Sequence, residues 1–173
     1  RGVKVTAETC PHYFTLTEDK CIDYDTNFKM NPPLRTEEDR QPIIDAIADG
    51  TIDIIVTDHA PHHSDEKVVE FSLALNGIVG FETAFALGYT YLVKTGRISL
   101  ERLVDAMCYR PSSILKLNRG GLSVGDDADL AVFDLDNEFV FDKNTMLTKG
   151  RNTPYDGYKL YGETLLTIMG GKI

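Results

Sequence analysis

The spacing of apolar positions changes several times along this chain. Residues 3–8, "VKVTAE", are β-branched in character and bounded by Gly2 and by Pro11, which predicts a short buried strand ending at "TCPHY". From Thr36 the period lengthens. In "TEEDRQPIIDAIADG", Ile43, Ile44, Ile47 and Ala48 share one helical face, Thr36 stands as N-cap with Asp39 three residues on, acids fill the first turn, and Gly50 follows the end. Pro42 is expected to pinch this helix, because its missing N–H removes a ladder bond beyond the first turn. Residues 52–58, "IDIIVTD", form the nearly continuous apolar run of a parallel strand covered on both faces. Strand, helical connection and strand are the βαβ rhythm of an α/β fold.

Helical spacing returns in "VGFETAFALGYTYLV", with Phe81, Ala84, Phe85, Gly88 and Leu92 in step, and again in "SLERLVDAMCYR", capped by Ser99. "PSSILKL" predicts one more short helix with Pro111 at its first position. Beyond "NRGGLSVGDD" glycines and aspartates mark turns around "ADLAVFDLDNEFVF" and "GETLLTIMGGKI", which read as strands. The chain is therefore expected to divide into residues 1–119, of α/β character, and a mostly β unit at 120–173.

Composition narrows the function. Asp and Glu outnumber Lys and Arg by 27 to 18, for a net charge of −9, and no window interleaves basic and aromatic residues, so nucleic acid is not an expected partner. Cys10, Cys21 and Cys108 are odd in number and form no CxxC pair, which points to neither a disulfide framework nor a zinc knuckle and makes a reducing cytoplasm the expected location. No apolar run is long enough to span a membrane. Arg1-Gly2 runs directly into a strand-like segment without an initiator Met, and the chain is expected to be a piece of something longer.

The candidate chemistry lies where strands stop. In parallel α/β architectures the reacting groups sit at the carboxyl ends of strands, whose loops open on one shared face. Asp58 ends "IDIIVTD" and opens "DHAPHH". A carboxylate there can bind a cation and can also accept and return a proton when water attacks a carbonyl. His59 is adjacent, and His62 lies a short turn beyond Ala60-Pro61. The spacing equally allows Asp58 as a turn cap and the histidines as solvated loop residues. In "KMNPPLR", two prolines stiffen a loop that presents the Asn31 amide; alternatively Asn31 opens a turn and Arg35 pairs with surface acids. His12, before an aromatic pair in "CPHYF", is read as a packing residue.

Together, "VTAETCPHYFTLTE", "KMNPPLRTEEDR", "DGTIDIIVTDHAPHHSDEK", "NGIVGFETA" and "RNTPYDGYKLYGETLLTIMGGK" closely resemble, in the same order, the C-terminal part of the long, class I bacterial dihydroorotases of the amidohydrolase superfamily. The resemblance implies the C-terminal part of a (β/α)8 barrel, with its last two strands, plus part of a small β-sandwich. It also implies a zinc centre, usually of two metals, and reversible cyclisation of N-carbamoyl-L-aspartate to dihydroorotate in pyrimidine synthesis. Position by position, Asp58 resembles the eighth-strand metal ligand and proton shuttle. Asn31 and His62 resemble residues that hold dihydroorotate. Asn76-Gly77 match a short loop, often Phe-Gly or Pro-Gly, whose main chain meets the substrate; Asn76 departs from the commoner residue.

The family's remaining ligands are a His-x-His pair on the first strand, a carbamylated lysine or an aspartate on the fourth, and histidines on the fifth and sixth. The substrate-gripping arginine after the first-strand pair belongs with them, and none of these lies in this sequence. By family order "VKVTAE" is the seventh strand, so His12 is no substitute for the sixth-strand ligand. The expectation is a fragment, inactive alone, whose strand edges need the missing N-terminal half or a second copy, with a homodimer among the options. Two alternatives stay open: another cyclic amidohydrolase of allantoinase or dihydropyrimidinase type, and a non-catalytic dihydroorotase-like assembly domain.

Overall fold

The computed structural model describes residues 3–117 and 119–173. Its organising feature is a parallel pair, β1 (Glu8–Thr9) with β2 (Ile54–Ile55), in the register Glu8↔Ile54 and Thr9↔Ile55. Both strands are shorter than their apolar runs predict. Among the described residues the ladder gains Asp53 N–H and Ile54 N–H to Ala7 O, at 3.0 and 3.3 Å, and Val56 N–H to Thr9 O at 2.9 Å before it ends. Val3 and Val5 are 75% and 79% exposed. A strand is defined by its partner, and among the described residues β1 has β2 alone as a neighbour. Gly2, taken as bounding the first strand, lies outside the described residues.

The strands are joined through α1 (Pro11–Thr15) and α2 (Glu37–Asp49). The Thr36 hydroxyl accepts from Asp39 N–H at 3.2 Å, Glu37, Glu38 and Asp39 occupy the positive end, and Gly50 closes the helix at φ 83°. Ile44 and Ile47 are buried, whereas Ala48 is exposed. The expected pinch at Pro42 does not end α2: Pro42 and Glu38 both lie on the exposed side, where the carbonyl freed by proline can turn to water.

After α3 (Ser64–Lys67), α4 (Ala84–Gly88) continues as a π-helical turn over Tyr89–Val93. Phe81, counted on the buried face from its spacing, precedes this helix and is 66% exposed, held against the His59 ring instead. Ser99 caps α5 (Leu100–Val104) as expected, its hydroxyl accepting from Arg102 N–H at 3.2 Å. The separate helix expected at Pro111 is continuous with it: a π turn, Asp105–Tyr109, leads directly into α6 (Arg110–Ile114). Pro111 has no N–H to give Met107, and the wider turn resets the ladder just before it, with Arg110 N–H reaching Asp105 O.

The tail forms the expected strands. β3 (Leu130–Asp134) pairs antiparallel with β6 (Glu163–Ile168) across a bulge at Val132/Phe133, and β4 (Phe139–Val140) pairs with β5 (Lys159–Leu160). Phe133 stacks on Phe85 with centroids 3.6 Å apart. One apolar cluster mixes Leu16, Leu34, Val79 and Leu87 with Phe141, Tyr155 and Leu160, so the tail packs into the same core as the loops after β1 and β2. A second cluster, with Phe14, Ile44, Ile47, Ile55 and Leu103, lies under the parallel pair. Replacing the fully buried Leu160 by alanine should lower stability to urea by about 2–5 kcal/mol, because a leucine-sized void forms where two segments meet.

Candidate active site

The register of β1 and β2 brings both carboxyl ends to one side. Asp58 stands three residues past β2, exposed, with φ at 47°, in the left-handed region that Asp tolerates better than most residues. It lines a cavity of about 550 Å³ together with Cys10, Tyr13, Asn31 and Arg35. Tyr13 fixes the proline loop, its hydroxyl donating to Pro32 O at 2.8 Å, and Asn31 is exposed beside it. Arg35 pairs with Asp39 at 3.3 Å on the surface, which matches the plainer of its two readings.

Cys10, a ring nitrogen of His12 and an Asp58 carboxylate oxygen all lie within 4.8 Å of one another. His12 is buried, as a packing residue would be, and meets the Tyr13 ring edge-on at 4.2 Å. Among the described residues its Nε2 has no hydrogen-bond partner. Burial holds the imidazole down to about 4, so it is neutral near pH 7. Burial, followed by the charges of Asp58 and Glu8, pushes the Cys10 thiol up to about 12.

His62, Asn76 and Gly77 form a second group. His62 Nε2 bonds Asn76 O at 2.8 Å, and His62 Nδ1 lies 3.8 Å from Glu66 Oε2. Gly77 has φ at 97°, and a β-carbon there would sit 2.7 Å from Ala60 Cβ, so glycine is required where this loop crosses "DHAPH". None of these three lines the cavity shared by Asp58 and Asn31; His62 instead faces a cavity of about 400 Å³ with Lys67, Arg151 and Asn152. His59 is structural: its Nδ1 accepts from Gly80 N–H at 3.1 Å and Phe81 N–H at 3.3 Å, and its ring stacks on Phe81 at 3.8 Å.

Three side chains that sequence pattern does not single out hold these loops together. Asn152, 5% exposed, accepts from His62 N–H at 3.0 Å and donates to Ala60 O at 2.8 Å and Gly77 O at 3.2 Å. Lys67, equally buried, donates to Leu75 O at 2.9 Å and Gly77 O at 3.1 Å. Lys29 reaches Ser72 O at 2.9 Å and Ala74 O at 2.6 Å. The usable signal is a lysine inside "KMNPPLR" and an asparagine inside "RNTP", but neither spacing says what it will meet.

The chain matches the model of the amidohydrolase family over residues 6–173, and it belongs to that family. It is 54% identical over its full length to a dihydroorotase of Acetivibrio thermocellus and 57% identical over 99% of its length to one of Ruminiclostridium cellulolyticum. The chain spans 41% and 40% of those two proteins. Among solved structures it resembles the L-hydantoinase (dihydropyrimidinase) of Arthrobacter aurescens, with a TM-score of 0.90 at 32% identity over 97% of this chain and 38% of that one. A D-hydantoinase (dihydropyrimidinase) of a Thermus species gives a TM-score of 0.89 at 29% identity over 99% of this chain and 39% of that one.

Burial, with Lys29 nearby, lowers the Lys67 ammonium from 10.5 to about 8. Because the unfolded chain holds that proton more tightly, stability should rise with pH between about 8 and 10.5 relative to a Lys67→Met variant and run parallel to it below that window. Urea unfolding of the two proteins across this range measures the difference. A Gly77→Ala substitution should destabilise the chain and increase amide exchange through residues 72–77, since it combines an unfavourable φ with a clash at Ala60.

Proposed function

We propose that this chain is the C-terminal part of a zinc-dependent dihydroorotase, which closes N-carbamoyl-L-aspartate to dihydroorotate reversibly. The observation that carries the reading is the placement of Asp58 and Asn31 on one cavity at the carboxyl end of the parallel pair. In the parent, β1 and β2 are the last two strands of a (β/α)8 barrel, residues 1–119 belong to that barrel, and residues 120–173 belong to a small β-sandwich. The open edges of β1 and β2 take the N-terminal half as partner, within one cytoplasmic enzyme.

Asp58 has the donor chemistry for zinc, being an exposed carboxylate at a strand end, and the parent's other ligands come from upstream strands. Bound zinc supplies an activated water and polarises the amide carbonyl. Asp58 accepts a proton at its carboxylate and returns it to the ring nitrogen, a poor leaving group unless protonated. Asn31 offers both donor and acceptor to the polar edge of the ring. His62 sits against the substrate and orients Asn76-Gly77, whose main chain meets it; Nε2–H donation to Asn76 O supports the orienting role.

The likeness to hydantoinases keeps a second cyclic-amide reading in view, but identity of 54–57% to dihydroorotases against 29–32% to those enzymes favours dihydroorotate. In the full-length parent, dihydroorotate should be turned over in preference to allantoin and hydantoin. Asp58→Ala should lower kcat by about 10²–10⁴-fold and reduce bound metal, and Asn31→Ala should chiefly raise KM. Unchanged turnover and metal content in Asp58→Ala would remove the basis of the reading, whereas dihydroorotate turnover by residues 1–173 alone would overturn the expectation that this chain is inactive without the N-terminal half.

A further inference from the structure

We propose that His59 is the positioning residue for Asp58: its ring, locked onto Gly80 and Phe81, sets the direction in which the Asp58 carboxylate leaves the main chain. The inference deepens the proposed role of Asp58 and rests on it. His59 acts through its neighbour and not on the substrate.

The need for such a device follows from where Asp58 stands. The β2 ladder ends with Val56 N–H on Thr9 O at 2.9 Å. Three residues later the chain has changed partner, through a parallel bridge between His59 and Ile78 and a bond from Ala60 N–H to Ile78 O at 2.8 Å. Asp58 is the joint between the two pairings, with φ at 47°. A residue other than glycine stays in that region only where its surroundings hold it there. The Asp58 side chain is exposed and gains little from burial, so its direction is inherited from the backbone on either side.

On the upstream side Thr57 O is backed by Gly80, where a β-carbon would sit 2.8 Å from it. On the downstream side stands His59. Its Nδ1 accepts from Gly80 N–H at 3.1 Å and from Phe81 N–H at 3.3 Å, while its ring lies flat on Phe81, centroids 3.8 Å apart and 5° from parallel. Two bonds to one nitrogen and a stacked face together fix both the place and the tilt of the ring. Phe81 is 66% exposed, so the stack and not burial accounts for its placement. The frame that receives the ring is itself anchored, because Ile78 and Val79 are buried and Glu82 accepts the Thr148 N–H at 2.8 Å and the Thr148 hydroxyl at 2.5 Å.

The test uses the full-length parent, stripped of metal and reloaded with zinc or with cobalt(II). His59→Phe keeps a flat ring for Phe81 but accepts no hydrogen bond, whereas His59→Asn keeps an acceptor oxygen without the ring. His59→Phe should lose about 10–100-fold in kcat and in zinc affinity, the range typical of residues that orient a ligand, with KM for dihydroorotate within about threefold of wild type. The visible absorption band of its cobalt form should shift, because the carboxylate meets the metal at a different angle. His59→Asn should recover most of the loss. Phe81→Leu, at an exposed position, should lower kcat by about 2–10-fold, the worth of an aromatic pair, and shift the same band; it decides the matter where His59→Phe fails to fold. A role confined to stability would lower the unfolding midpoint and leave kcat, zinc affinity and the cobalt band of the folded enzyme at their wild-type values. That result in His59→Phe or in Phe81→Leu overturns the proposal, as does a His59→Asn enzyme no better than His59→Phe. If Asp58→Ala loses metal and turnover while these variants behave as wild type, this inference alone falls. If Asp58→Ala keeps both, the dihydroorotase reading falls and this one with it.

Discussion

The pairing of Glu8 with Ile54 and Thr9 with Ile55 is the constraint on which the candidate site depends. Parallel strands place equivalent ends together, so one register decides which residues of "TCPHY" meet which residues of "TDHAPHH". A slip of one position would turn every side chain of the strand to the opposite face and separate Cys10 from Asp58. The apolar layer of Phe14, Ile44, Ile47 and Ile55 resists such a slip, because it is the burial of those side chains that selects the register. Packing on one face of the pair thus determines chemistry at its end.

A different force organises the loops beyond. Residues 72–77 bury Ala74 but leave Leu73 and Leu75 exposed, and they present a run of carbonyls. Lys29 and Lys67 answer them with ammonium groups, and Asn152 adds an amide that also grips the "DHAPH" loop. Burying a lysine is unfavourable unless its head group is satisfied, and here four carbonyls divide between two of them. The loop that carries Asn76 and Gly77 is therefore held electrostatically, while the strands below it are held by apolar contact. Burial, and after it the repulsion from Lys29, depresses the Lys67 proton affinity and ties the loop's stability to pH.

The tail is bound to this assembly through aromatic and aliphatic contact. Tyr155 is buried among residues from both ends of the chain, and its hydroxyl meets Thr15 Oγ1 at 2.7 Å. Glu82 repeats the theme with a carboxylate that receives the Thr148 N–H at 2.8 Å and the Thr148 hydroxyl at 2.5 Å. Those bonds outweigh burial and hold its proton affinity below the ordinary value. Asn152 sits between these anchors, so the position of the tail and the shape of the "DHAPH" loop are linked through one side chain.

Features set by neighbours in the chain are legible in the sequence alone. The ends of α2 follow from Thr36, three acids and Gly50, all acting within a few residues, and the α/β character, the β tail and the motifs carrying Asp58 and Asn31 follow from local pattern. What the sequence does not state are facts about distant pairs. Strand length depends on whether a partner supplies hydrogen bonds, so Val3 and Val5 read as buried and are exposed. Phe81 is held by His59, 22 positions away, and Asn152 by His62, 90 positions away. The separation of Asn31 and Asp58, on one cavity, from His62, on another, and the meeting of Cys10 and His12 with Asp58, arise only when packing fixes the register, because proximity in space is not encoded by spacing along the chain.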